Sequence, residues 1–181
     1  MKEAPIVEAL LFDNIRFFSM AKGMLEKKLN ILKGDYVFKK GRNMGRQSKQ
    51  LYINLPVNHV KESIAFFEQL GFEFEEQFTS DQAACMVIDD AITVMLLSLR
   101  HFQSISEKQL VDAKKASEVI ISMRVHSREE VDDLVEQAIA AGGSPFKEKQ
   151  DHEFMYGWSF QDLDGHLWEV FYMDEERSGL S

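Results

Sequence analysis

Cysteine is nearly absent, with Cys85 as the single example. One thiol cannot form an internal disulfide framework or a Cys-rich zinc site, and a reducing cytoplasm is the compartment that fits. No apolar run reaches about 18 residues, so no transmembrane helix is expected. Positive charge is in deficit. The chain carries 21 Lys and Arg against 30 Asp and Glu, a formal −9, which argues against nucleic acid and against an anionic membrane as partners. A phosphate-binding glycine loop, a nucleophile elbow and an HExxH motif are all missing. Gly142-Gly143 follows a helical pattern rather than opening one, which removes a dinucleotide-binding reading.

What is present suffices for a packed core. Apolar residues make up 45% of 181 residues and charged residues 28%, a globular rather than disordered composition. The length suits one domain or two small repeats sharing one core. Charge is unevenly placed. Residues 1–43 hold nine Lys/Arg against five Asp/Glu, a local +4, and residues 44–181 hold twelve against twenty-five, a local −13. The break marks residues 1–43 as a basic extension of separate origin or role. Ile6, Val7, Leu10, Leu11, Ile15, Phe17 and Phe18 give it a partly helical apolar pattern. Glu3, Glu8, Asp13 and Arg16 interrupt any signal-peptide core, and the acids disfavour a mitochondrial presequence. Two readings stand open: a genuine helical arm, or a non-native start with translation beginning at Met44.

The acidic part reads as a repeat. Leu51–Val57 is rich in β-formers. Ser63, Ile64, Phe66, Phe67 and Leu70 follow at helical spacing, with Gly71 as a stop. Phe72–Phe78, Ala83–Ile88 and Ile92–Leu99 are three strand-like runs. The order β-α-β-β-β then recurs. Val119–Val125 predicts a strand. Arg128–Ala141 predicts a helix, with Ser127 as N-cap and Glu130 completing a capping box. Pro145–Lys149, Phe154–Phe160 and Leu167–Tyr172 predict strands, with Asp164-Gly165 as the turn between the last two. Leu55-Pro56-Val57 aligns with Met123-Arg124-Val125 at an offset of 68, and Asp90-Ala91-Ile92 aligns with Asp164-Gly165-His166 at an offset of 74. The expected layout is a first module over 44–100, a polar linker over 101–117 with Leu110, Val111 and Ala113 hinting at a short helix, a second module over 118–174, and a tail over 175–181.

Leu55-Pro56-Val57, Ser63-Ile64-Ala65-Phe66-Phe67 and Leu70-Gly71-Phe72 are matched in the second half by Ser127-Arg128-Glu129-Glu130-Val131, Ala141-Gly142-Gly143 and Phe160-Gln161-Asp162-Leu163-Asp164-Gly165-His166-Leu167-Trp168-Glu169-Val170. With two βαβββ modules, this set resembles the vicinal oxygen chelate superfamily of glyoxalase I, extradiol dioxygenases and bleomycin-resistance proteins, over roughly Gln50 to Asp174. The resemblance implies an α+β fold: two βαβββ modules forming a curved mixed β-sheet cup with flanking helices, commonly a homodimer. It also implies four metal-ligand positions inside the cup, which map to Tyr52, Met95, Ile120 and Glu169. Only Glu169 is an ordinary hard-metal ligand. Tyr52 ligates poorly until ionised, Met95 prefers soft metals and Ile120 cannot ligate. Catalytic zinc usually takes about three protein ligands. The expectation is therefore a site without a cofactor, a divalent metal remaining the alternative.

Candidate site residues follow from parity along the strands. Leu167, Glu169 and Phe171 share one face, so Glu169 is expected to be desolvated, with a raised pKa, as a catalytic base or anchor. Tyr52 and Asn54 share the face toward the cup and offer hydrogen bonds to a ligand. Arg124 has the parity of Ile120 and Ser122 and could take an anionic group. His152 and Tyr156 lie at the entry to the penultimate strand, near the rim. His166 is assigned to the turn, Cys85 to a buried strand without a nucleophilic role, and Phe66, Phe67, Phe72, Phe74, Met86 and Met95 to packing. Two functions compete: a binding protein of bleomycin-resistance type holding a small organic ligand without metal, and a metal-dependent lyase, isomerase or dioxygenase of glyoxalase type using Glu169. A third reading is an interaction scaffold.

Overall fold

The computed structural model describes residues 48–174. The expectations for residues 1–43 and for the tail lie outside them. Strand β1 spans Leu51–Val57, with Leu55 and Val57 buried while Tyr52 and Asn54 face outward. This is the period-2 pattern of a strand covered on one face. Helix α1, Val60–Gln69, buries Val60, Ser63, Phe66 and Phe67, a single stripe at helical spacing. It ends in a paired-bond C-cap: the Phe72 N–H donates to the Phe67 carbonyl and the Gly71 N–H to that of Glu68. Gly71 takes φ +85°, which glycine adopts without strain, and the Phe67 and Phe72 rings meet at 6.0 Å.

Strands β2 (Glu73–Phe74), β3 (Ala83–Val87) and β4 (Ile92–Ser98) complete the first module, and helix α2 (Leu99–Ser106) follows. The second module comprises β5 (Ile120–Arg124), helix α3 (Arg128–Ala140), β6 (Ser144–Asp151), β7 (Met155–Gln161) and β8 (Leu167–Met173). Sheet 1 has the order β1-β4-β3-β2 and sheet 2 the order β5-β8-β7-β6. In each, the first strand lies parallel to the last, and the remaining pairs are antiparallel. The α+β architecture of two βαβββ modules, two open mixed sheets with flanking helices, is the one expected from the sequence.

One core joins the modules. Leu55, Val57, Met86, Val94 and Leu96 of sheet 1 pack with Ile121, Phe160, Trp168 and Val170 of sheet 2 and with both long helices. Phe66 reaches Phe160 at 6.3 Å and Phe67 reaches Trp168 at 5.2 Å. Burying each such side chain stabilises the fold by about 1.5–3 kcal/mol. Since both sheets give one face to this core, their other faces point away from it on opposite sides.

The motif Asp162-Leu163-Asp164-Gly165-His166 acts as a clasp between modules. Asp162 Oδ1 accepts from the N–H groups of Asp164, Gly165 and His166, and its Oδ2 accepts from the Trp168 indole at 3.0 Å. Asp164 Oδ1 accepts from the Asn58 backbone at 2.9 Å and from its amide, and Asp164 Oδ2 accepts from Ser63. His166 Nε2 meets the Pro56 carbonyl at 2.8 Å. The β7–β8 turn of the second module is thereby fixed to the β1–α1 junction of the first. His166, assigned to the turn from the sequence, uses its ring to reach Pro56 across the modules.

Candidate functional site

The outer face of sheet 2 carries a groove of about 230 Å³ lined in part by Met155, Gly157, Ser159, Glu169, Phe171 and Met173. Strand parity places these residues. Gly157 lies opposite Phe171 and Ser159 opposite Glu169, on the side away from the core. On the neighbouring strand Ser122 lies opposite Glu169, and its hydroxyl donates to Glu169 Oε2 at 2.6 Å. This bond orients the carboxylate through one oxygen. Glu169 is exposed. Glu169 is thus not buried as the sequence pattern suggested, although Leu167 is buried and Phe171 half-buried on the same strand. A carboxylate so placed can accept hydrogen bonds from a neighbouring donor.

The other candidates divide between two faces. Tyr52 and Asn54 lie on the outer face of sheet 1. The Tyr52 hydroxyl donates to Gln50 Oε1 at 3.0 Å. Burial, then the nearby Cys85, hold this phenol above its ordinary pKa, so it acts as a neutral hydroxyl and not as a phenolate ligand. Arg124 lies on the outer face of sheet 2 and donates to the Met173 carbonyl at 3.1 Å. His152 sits in the exposed β6–β7 connection, its backbone paired with Met155. Tyr156 is placed elsewhere. Its ring is buried in the shared core and its hydroxyl donates to Asp132 of α3 at 2.8 Å, with the Arg128 guanidinium 5.0 Å over the ring. Tyr156 and Phe160 of β7 are buried in the core, while Met155, Gly157 and Ser159 line the groove, with Trp158 also reaching its wall. Sequence spacing gives the alternation along β7 but not which of its two faces meets the core, and that is set by the packing of Tyr156 and Phe160.

The four inherited ligand positions do not fit a divalent ion. Only Glu169 offers an ordinary hard-metal donor, since Ile120 has none, Met95 is a thioether and the Tyr52 phenol is held protonated. Met95 is 1% exposed and packs against Cys85 and Leu97, with Phe102 above. Among the described residues no three His, Cys, Asp or Glu side chains form a group able to hold a metal. Nor does Cys85 supply a nucleophile: burial, then the charge of Glu75, push its thiol up to about 11. Ser159 beside Glu169 was missed in the sequence; its buried hydroxyl becomes visible only once the β7–β8 register is known.

Comparison with known proteins agrees with this geometry. A family model described as Glyoxalase/Bleomycin resistance protein/Dioxygenase superfamily matches residues 49–170. Hypothetical protein SA1046 from S. aureus is similar in structure, with 31% identity and a TM-score of 0.61 over 70% of this chain and 95% of that one. A glyoxalase-related enzyme from Fulvimarina pelagi matches at 19% identity and a TM-score of 0.60, covering 69% of this chain and 88% of that one. A glyoxalase/bleomycin resistance protein/dioxygenase family enzyme from Burkholderia phytofirmans PsJN matches at 18% identity and a TM-score of 0.59, over 67% and 96%. No curated protein matches the chain. The paired βαβββ modules, the Asp-Gly clasp and the matched span together place this chain in the Glyoxalase/Bleomycin resistance protein/Dioxygenase superfamily.

Proposed function

We propose that the chain binds a small organic ligand on the outer face of sheet 2, without a divalent metal, and that a second copy completes the site. The observation that carries this reading is the groove itself, where Glu169, oriented by Ser122, lies with Met155, Phe171 and Met173, and Trp158, Lys147, Glu148 and Gln150 complete the lining. A carboxylate accepts hydrogen bonds from an ammonium, hydroxyl or amide group, and thioethers with an aromatic ring supply a flat, adaptable apolar wall. The ligand that matches has a hydrogen-bond donor at one end and a planar apolar body. Arg124 and His152 border the groove through Met173 and Met155, and would contact the ligand's outer parts.

At about 230 Å³ the groove is smaller than the ~300–1,000 Å³ usual for ligand pockets, which supports a half-site. Tyr52 and Asn54 on sheet 1 are the matching half, yet they lie across the core in the same chain. A second copy brings them together: sheet 1 of one protomer meets sheet 2 of its partner, twice over. The role is binding, of bleomycin-resistance type, with Glu169 as anchor; the donor set speaks against metal-assisted chemistry. The buried Cys85 thiol suits a reducing cytoplasm.

Thermal shift tests the site with tryptamine as probe and indole as its uncharged control. Tryptamine is expected to raise the Tm of the full chain more than indole, and Glu169→Gln to abolish the difference. An equal shift in Glu169→Gln, or no shift by tryptamine in the unaltered protein, overturns the assignment of Glu169.

A further inference from the structure

Beside the Asp162–His166 clasp lies a cavity of about 270 Å³. Three parts of the chain wall it. Asn58, His59, Glu62 and Ser63 come from the start of α1 and the residues before it, Leu163 and Asp164 from the β7–β8 turn, and Lys114 from the linker. It shares no lining residue with the groove of sheet 2. Its floor is fixed from within: Ser63 and Asp164 are buried and bonded to each other, and Asp164 also holds the backbone and side-chain N–H groups of Asn58.

The walls, in contrast, carry charge that the fold does not use. Glu62 and Lys114 have opposite sign and line the same cavity. Among the described residues neither forms an ion pair, with the other or with any third group. His59 occupies the N-cap position of α1 but makes no side-chain cap bond, so its ring is not committed to the helix. Lys114 is held at the base of its side chain. A Cβ on Gly165 would lie 2.6 Å from Lys114 Cγ, so the lysine's stem lies against the turn and only its outer end is free to move. Half-buried Leu163 is the one apolar side chain in the lining.

We propose that this cavity is a second binding site, for a small zwitterion of the α-amino acid class with an aliphatic side chain. The ligand's ammonium meets Glu62, its carboxylate meets Lys114 and its side chain rests on Leu163. A simple anion matches less well, because the start of α1 already has negative charge beside it in Asp164 and Glu62. A simple cation leaves Lys114 unmatched. A molecule with both charges satisfies both walls, and a volume below the ~300–1,000 Å³ usual for ligand pockets keeps it small. Because the walls come from both modules and the linker, the bound molecule ties the linker to the clasp and stabilises the folded chain by mass action. The site depends neither on Glu169 nor on a second copy.

The chain's two tryptophans separate the sites. Trp168 donates its indole N–H to Asp162 in the clasp, whereas Trp158 lines the groove of sheet 2. L-valine is the probe, with isobutylamine and isovalerate as its single-charge halves, and the N–H resonances of the full chain are the readout. Valine is expected to shift the Asn58, Leu163 and Trp168 indole signals saturably and to leave the Trp158 indole in place. Each half should bind about tenfold more weakly, the usual worth of one hydrogen bond to a charged group. Glu62→Gln and Lys114→Gln should each weaken valine binding by about the same factor, while Lys114→Arg, which keeps the charge, holds it within about threefold. Both positions are exposed, and circular dichroism of the variants provides the control for folding. No saturable shift at Asn58 and Leu163, shifts confined to Trp158, equal binding of isovalerate alone, or unchanged valine binding in either Gln variant would overturn the proposal. None of these outcomes bears on tryptamine binding at Glu169.

Discussion

Asp162 is 6% exposed, yet both its oxygens act only as acceptors, taking three backbone N–H groups and the Trp168 indole. Burial pushes its carboxyl up, while His166, the indole and the turn's N–H groups pull the other way. The side chain thus supplies the acceptors that a tight turn cannot find in its own backbone. Cys85 shows the opposite solution, a polarisable group kept neutral in an apolar patch. Its thiol moves from the ordinary 9.0 to about 11, and the sign of the linkage is fixed by that direction. Below 9.0 the thiol is neutral in both folded and unfolded chains, and its contribution to stability is fully present. As pH rises toward about 11 the unfolded thiol ionises first, so this contribution is progressively lost. Urea midpoints across that window should fall more steeply for the unaltered protein than for Cys85→Ala. Parallel slopes would show that the thiol does not sit in the dry patch.

Elements end where particular residues make them end, and Gly165 is the clearest case. It takes φ +95°, and a Cβ there would lie 2.6 Å from Lys114 Cγ, 2.8 Å from the Lys114 nitrogen and 3.0 Å from the Ala113 carbonyl carbon. The linker therefore crosses directly over the β7–β8 turn. Gly165→Ala should cost at least about 1–3 kcal/mol through the left-handed backbone alone, with more from the displaced linker, as measured by urea denaturation. Gly71→Ala provides the contrast, since its φ is +85° but nothing lies within 4 Å; a similar loss in both would mean that the linker yields freely. The turns, both C-caps and β1 were legible in the sequence because each depends on a local signal. Ser127 and Glu130 also form the expected cap, with Ser127 accepting from the Glu130 N–H and the Glu130 carboxylate taking the His126 N–H. Two elements were not legible. The run Phe72–Phe78 forms only the short β2, because Glu76–Phe78 closes into a 3₁₀ turn. The linker helix forms at Leu99–Ser106 and not around Leu110–Ala113. What holds that helix is Phe102 against Met95 and Leu97, a contact fixed by tertiary packing and invisible to local periodicity. The site was legible to the same extent: Glu169 came from its motif, but its exposure and its partner Ser122 depended on strand register.

The placement of both sheets around one core has a consequence for the whole molecule. The chain's two outer faces point apart, so groups that could act together on one ligand are separated by the protein's own interior. Strands β1 and β5 are edges, each paired on one side only. Their starts carry repeat-related exposed apolar pairs, Leu51 and Tyr52 in one module and Val119 and Ile120 in the other, at 53%, 37%, 48% and 51% exposure. An isologous dimer would set β1 of one protomer beside β5 of its partner at two symmetry-related places, covering all four residues and protecting both edges. Leu51→Lys and Ile120→Lys each place a charge in that contact without touching the core. Light scattering after size exclusion should find a dimer for the unaltered protein and a monomer for either variant, with circular dichroism unchanged. Tryptamine binding should weaken along with dimerisation, since each groove then loses the wall carrying Tyr52 and Asn54. If the unaltered chain is a monomer at concentrations where tryptamine binds fully, the groove of sheet 2 is complete by itself and the two-copy site is wrong.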